Sequence, residues 1–114
     1  MNELGFTEED WKFFRKQLPT WQERYMEKLL AEYKEILMKD EQASSRFWEL
    51  EKRINSDKKY TGVLVQRVSR SNMKSILMDL IGEGAINKED FDGFSDDFKE
   101  LISAYYDRIC SHIE

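Results

Sequence analysis

The chain has 114 residues, 40% of them apolar and 36% charged, with a net charge of −5. Seven Phe, five Tyr and three Trp give it the apolar payload of a folded chain and argue against disorder, and the length suits a single core. One Pro and five Gly are too few for the turns of an all-β fold, one Cys excludes an internal disulfide, and no apolar run approaches the ~18 residues of a membrane span.

These constraints predict an all-α fold, a compact bundle of four to five helices forming one domain over 1–114. The first helix, 6–18, opens on Thr7 as N-cap. Glu8, Glu9 and Asp10 face the positive end of its dipole, and Phe6 and Trp11 sit at staple positions. Trp11, Phe14 and Leu18 then share one face. Pro19 lacks an N–H and disfavours helical geometry at Leu18, so the helix is expected to end or kink there. Thr20-Trp21-Gln22-Glu23 has the capping-box pattern and predicts a second helix over 20–39. Met26, Leu29, Leu30, Tyr33, Ile36 and Leu37 give that helix a broad apolar face, with Glu35 and Lys39 as an i, i+4 pair.

A third helix is predicted over 43–55 from Phe47, Leu50 and Ile54, followed by a loop from Asn55 to Gly62. Val63-Leu64-Val65-Gln66-Arg67-Val68 reads as strand or helix. A lone strand has no partner in this chain, so helix is favoured and the fourth element is placed at 64–81. Met73, Ile76, Leu77, Leu80 and Ile81 form its buried face, and Gly82 and Gly84 stop it. Asn87 caps a short helical turn near 88–92. Ser95 caps a last helix over 95–113 whose buried face is Phe98, Leu101, Ile102, Tyr105, Ile109 and Ile113. The expected core is Trp11, Phe14, Leu18, Leu29, Tyr33, Ile36, Phe47, Leu50, Ile54, Ile76, Leu77, Leu80, Phe91, Phe98, Ile102, Tyr105 and Ile109.

Charge is unevenly spread. Residues 1–45 carry seven basic and ten acidic groups, 46–74 eight and three, and 75–114 three and ten, so a basic middle lies between acidic ends. On a helix, Arg67, Arg70 and Lys74 would share one face. They form a candidate row for phosphates or an acidic partner, with Ser69 and Asn72 beside it. Set against that, the chain as a whole is acidic, whereas nucleic-acid binders are usually basic.

Other constellations have structural readings. Asp79, Glu83, Asn87 and Asp90 around Gly84 have oxygen ligands at calcium-loop spacing, but Ile81 occupies a ligand position, so a corner between two helices accounts for them better. Cys110 and His112 lie two apart on one helix, where side chains do not face each other, and make no nucleophile pair. Asp96-Asp97 and Glu89-Asp90 stand at helix starts, where the dipole explains them. No catalytic, metal or cofactor site is expected.

The aromatic residues point elsewhere. The first third is rich in large rings, and one of each adjacent pair, Phe13-Phe14 and Tyr105-Tyr106, is placed to point away from the main stripe, unless the core wraps wide helices. Phe13, Trp21, Tyr25 and Tyr106 are therefore the candidate interaction surface for a protein partner or a homodimer.

The run Phe47-Trp48-Glu49-Leu50-Glu51-Lys52-Arg53-Ile54, with Asp57-Lys58-Lys59, Gly62-Val63 and Arg70-Ser71-Asn72-Met73, resembles a segment of small uncharacterised cytoplasmic proteins of Gram-positive, lactic-acid-type bacteria. The resemblance covers residues 46–74. It implies a bacterial cytoplasmic origin and no particular activity. The acidic start Met1-Asn2-Glu3-Leu4-Gly5 lacks the basic stretch and apolar run of a secretory signal and agrees with that compartment. The functional expectation is a non-enzymatic interaction module or small regulator acting through a helix face. A nucleic-acid-associated regulator using Arg67 to Lys74 is the alternative.

Overall fold

A computed structural model describes residues 5–113, with side chains as far as Cys110. The chain is all-α: α1 spans Glu8–Leu37, α2 Ala43–Asp57, α3 Met73–Glu83 and α4 Asp96–Ile113, with 3₁₀ turns at Arg70–Asn72 and Lys88–Phe91. No strand occurs among the described residues. None of their helices is long and apolar enough to cross a membrane.

α1 starts where its cap predicts. The Asp10 N–H donates to Thr7 Oγ1 at 3.1 Å, and the Thr7 N–H donates to Asp10 Oδ2 at 3.0 Å. The expected break at Pro19 does not occur; α1 runs through it for 30 residues. An interior proline costs a helix about 3 kcal/mol. Here Trp11, Phe14 and Leu18 before it and Trp21, Tyr25 and Leu29 after it are all buried in the same core, while Pro19 is exposed. Packing of the two halves outweighs the lost hydrogen bond. Thr20 to Glu23 is therefore mid-helix and caps nothing.

The predicted helix at 64–81 is corrected at its start. Residues 64–69 are neither helix nor strand, and the helix proper begins at Met73. Val63 and Val65 are half-buried while Leu64 and Gln66 are exposed, the alternation of an extended chain. Side chains hold this connection in place of a ladder. Glu83 accepts from the N–H of Thr61 at 3.0 Å and of Gly62 at 2.9 Å, and Gln22 Nε2 donates to the Thr61 carbonyl at 3.0 Å. Gly62 is buried, and a Cβ there would overlap the Tyr25 ring. Gly62→Ala is accordingly expected to destabilise the fold by about 1–3 kcal/mol in urea denaturation, the usual cost of overpacking.

α3 buries Met73, Ile76, Leu77, Leu80 and Ile81 as predicted and ends at Gly84, whose φ of 78° is the left-handed conformation of a helix C-cap. In α4, Phe98 and Ile102 are buried and Tyr105 and Ile109 pack at the core's edge, but Leu101 is half exposed. The side chain of Ile113 lies outside the described residues. Ser95 precedes α4 as expected, yet its groups go to α1: its N–H and Oγ donate to the buried Asp10 carboxylate at 2.6 and 2.7 Å. One carboxylate thus ties the starts of two helices separated by 85 residues. Burial alone would push the Asp10 carboxyl up, but the hydrogen bonds from Thr7 and Ser95 outweigh it and hold the group below the usual aspartate range.

The bundle is unevenly filled. Its main core takes side chains from Phe6, α1 as far as Leu29, α3, the 85–94 segment and α4, and none from α2. Phe47 and Ile54, expected in the core, are exposed, and Leu50 is only half-buried. The reason is geometric: α1 is long enough (~45 Å) to carry its C-terminal third beyond the core, and α2 folds back along that overhang. The molecule measures 58 × 30 × 18 Å, with a radius of gyration of 16.7 Å. A compact chain of this length has about 13 Å. It has a globular head and a two-helix arm.

Candidate interaction surface

Polar contacts hold the arm together along one side. Arg46 reaches back to the carbonyls of Leu37 at 2.9 Å and Glu41 at 3.1 Å, satisfying acceptors that the end of α1 leaves open. Lys39 pairs with Glu49 at 2.7 Å rather than with Glu35 as its spacing suggests. Arg53 bridges Glu32 at 3.0 Å and Asp57 at 3.3 Å and lies over the Tyr33 ring, and the Tyr33 hydroxyl donates to Asp57 at 2.6 Å. α2 turns Arg46, Glu49, Arg53 and Asp57 toward α1 for this purpose.

With the inner face of α2 used in that way, its apolar residues are left on the outside. Met38 is 70% exposed, Trp48 63%, Phe47 62% and Leu30 57%, and Leu37, Ile54 and Leu64 are also exposed. On α1, Met26, Leu30, Tyr33 and Leu37 fall on one stripe, and on α2 Phe47, Leu50 and Ile54 fall on another, both at the three- and four-residue spacing of a packing seam. The stripes converge on one face. Met26, Leu29, Leu30, Tyr33, Ile54 and Val63 line a shallow groove of about 290 Å³, with Asp57 and Lys58 also in its walls. Beyond Val63 the surface continues to Leu64, beside Lys58 and Lys59. A contiguous apolar face of this size is larger than the scattered exposed apolar residues usual on a small chain.

The residues expected to make the interaction surface are not there. Trp21 and Tyr25 are buried, and Phe13 and Tyr106 pack against the core. Phe13 meets Phe94 edge-on at 4.9 Å and Tyr106 meets Phe91 at 6.1 Å. Adjacent aromatics both find cover because the 85–94 segment, with Phe91 and Phe94, lies over the flank of the helices. A surplus of apolar residues was legible in the broad face of α1; its location was not.

The basic row is not formed either. Arg67 is in the extended connection, where its carbonyl accepts from Asn72 Nδ2 at 2.9 Å. Arg70 is engaged by Glu8 at 3.0 and 2.5 Å and lies over the Trp11 ring, and Lys74 is half-buried near Gly5. The calcium-loop oxygens are also dispersed. Asp79 lies within α3, Glu83 faces the backbone of Thr61 and Gly62, and Asp90 is clamped by Arg24 at 2.7 and 2.9 Å. No cluster of three or more metal-ligating side chains occurs among the described residues. Cys110 is half-buried beside Tyr106, and the side chain of His112 lies outside the described residues.

A polar notch of about 530 Å³ separates head from arm, with Tyr25, Glu32, Arg53, Asp57, Tyr60 and Glu83 in its walls. Its carboxylates are engaged by the contacts already given. Tyr25 is pushed up to about 12 by burial and the nearby Glu83 and Asp57, and Tyr33 to about 12 by burial and its hydrogen bond to Asp57. That direction suits structure and not proton transfer near neutrality. A tyrosine raised in the folded state stabilises fully below its unfolded pKa of about 10, and the contribution is lost as pH rises to about 12. Phenolate absorbance is expected to show these two residues titrating late, and thermal stability to fall across that window. Tyr33→Phe should make the fall shallower.

No protein-family model, no curated protein and no solved structure matches the chain.

Proposed function

We propose that the protein is a non-enzymatic association module that engages a protein partner through the arm. The observation that carries this reading is the apolar face shared by α1 and α2, with Leu30, Phe47 and Ile54 exposed although the hairpin is already closed by buried Ile36, half-buried Tyr33 and Leu50, and ion pairs. Exposed residues of this kind cost solubility, and a surface that keeps them in two aligned stripes has the layout of a helix-packing interface. The single thiol fits a reducing cytoplasm, and none of the described helices has the length and apolarity to cross a membrane.

The reading is tested by a photo-crosslinking amino acid placed at Phe47, with exposed Lys16 on the head as control position, in cells expressing the chain. A discrete protein adduct from position 47 alone, lost when Leu30→Glu is added, is the expected result. The same background at both positions would remove the association reading.

A further inference from the structure

We propose that the occupant of the arm is a second copy of this chain, bound antiparallel so that two hairpins make one four-helix bundle. This rests on the association reading above. Three features favour a second copy.

The first is the match of the face to itself. Each hairpin supplies two stripes at heptad-like spacing, Met26, Leu30, Tyr33 and Leu37 on α1 and Phe47, Leu50 and Ile54 on α2. A two-fold axis through such a face brings four apolar helices around one seam, which is the cross-section of a helical bundle.

The second is area. Leu30, Leu37, Met38, Phe47, Ile54 and Leu64 leave about 600 Å² of side chain exposed, comparable with the ~800 Å² per partner of a standard interface once the rim is added.

The third is charge, and it also sets direction. An isologous interface meets its own charges, so a rim of one sign would repel itself. Here Glu23, Glu27 and Lys34 follow the outer edge of the α1 stripe, and Glu51 and Lys58 that of α2; none of the five makes an ion pair among the described residues. Antiparallel arms set the Lys34 end of one α1 against the Glu23–Glu27 end of the other. They also hold the strongly acidic 75–114 segments at opposite ends of the assembly, whereas parallel arms would bring them together. In this arrangement the tip of each arm, at Met38, approaches the partner's Leu64, and both of these exposed residues become covered.

Light scattering on the full chain over about 1–500 µM covers the range in which an interface of this size assembles. The expected result is a mass twice 13.7 kDa. Phe47→Lys should weaken association at least about tenfold with the circular dichroism unchanged, because Phe47 makes no core contact. In a Cys110→Ser background, mixed Met38→Cys and Leu64→Cys chains should be joined by a short bismaleimide. A dimer that Phe47→Lys leaves intact, or one that links Met38→Cys to itself instead, overturns the proposal. A monomer throughout the range also overturns it. If the Phe47 photo-crosslink to another protein persists in that case, the association reading survives the loss of the second copy; if that crosslink is absent too, both fall.

Discussion

Asp10→Ala is expected to lower stability by about 2–4 kcal/mol, because it removes a carboxylate that is 1% exposed and accepts hydrogen bonds from the Thr7 N–H and from the N–H and hydroxyl of half-buried Ser95. The loss combines a helix cap with a long-range anchor: α1 loses the reciprocal half of its capping box, and α4 loses the group that fixes its first residue against α1. Urea denaturation is the direct measurement. A change within about 0.5 kcal/mol, the scale of an ordinary surface substitution, would mean that the two helix starts are held by other means. The same group gives a pH signature. The Asp10 carboxyl is depressed in the folded state, so its contribution is present above the unfolded aspartate pKa of about 3.9 and is lost as pH falls through the lower folded value. Wild type should lose stability on acidification below about pH 4, and Asp10→Asn should lose less over that interval because its side chain does not titrate.

Two tryptophans provide the other large contrast. Trp21→Ala is expected to cost about 3–5 kcal/mol, since Trp21 is 2% exposed and packs against Phe13 and Phe14. Trp48→Ala, in dilute solution where the arm is free, should change stability by no more than about 0.5 kcal/mol. Chemical denaturation of the two variants at low concentration decides the point. Equal and small effects would restore Trp21 to the surface and undo the assignment of the core to the head.

Much of the fold was legible because its signals are local. The Thr7 cap, the α3 stripe from Met73 to Ile81, the stop at Gly84 and the start of α4 after Ser95 each depend on a few neighbouring residues, and the structure has all of them. The break at Pro19 was expected by weighing one residue against a local rule. Yet Trp11, Phe14, Leu18, Trp21, Tyr25 and Leu29 step through the proline without losing register, and that continuity was the stronger signal. The connection before Met73 was harder. The chain just before Val63 is held by Glu83, which accepts the N–H groups of Thr61 and Gly62 some 20 positions away, a contact that no periodicity reports.

The candidate surface was legible in quantity and illegible in place. Six large apolar residues besides Ala31, in the twelve positions of α1 from Met26 to Leu37, announce more grease than one face uses. Which residues stay wet depends on where the head ends along α1, and on α2 spending its inward positions on Arg46, Arg53 and Asp57. Phe47 and Ile54 read as core because their spacing is that of a buried stripe. The spacing is real, but α1 meets Ile54 only at the edge of the groove and leaves Phe47 uncovered.

The uninterrupted α1 has a mechanical consequence. Head and arm share a single rod of hydrogen-bonded turns, with no hinge between them, so neither can swing without bending the rod. A molecule bound to the arm would therefore fix the bearing of the whole head, and torque applied at one end would be delivered to the other. Pro19, whose missing N–H removes one bond from that rod, lies within the head, where buried Leu18 and Trp21 on either side clamp it against the core.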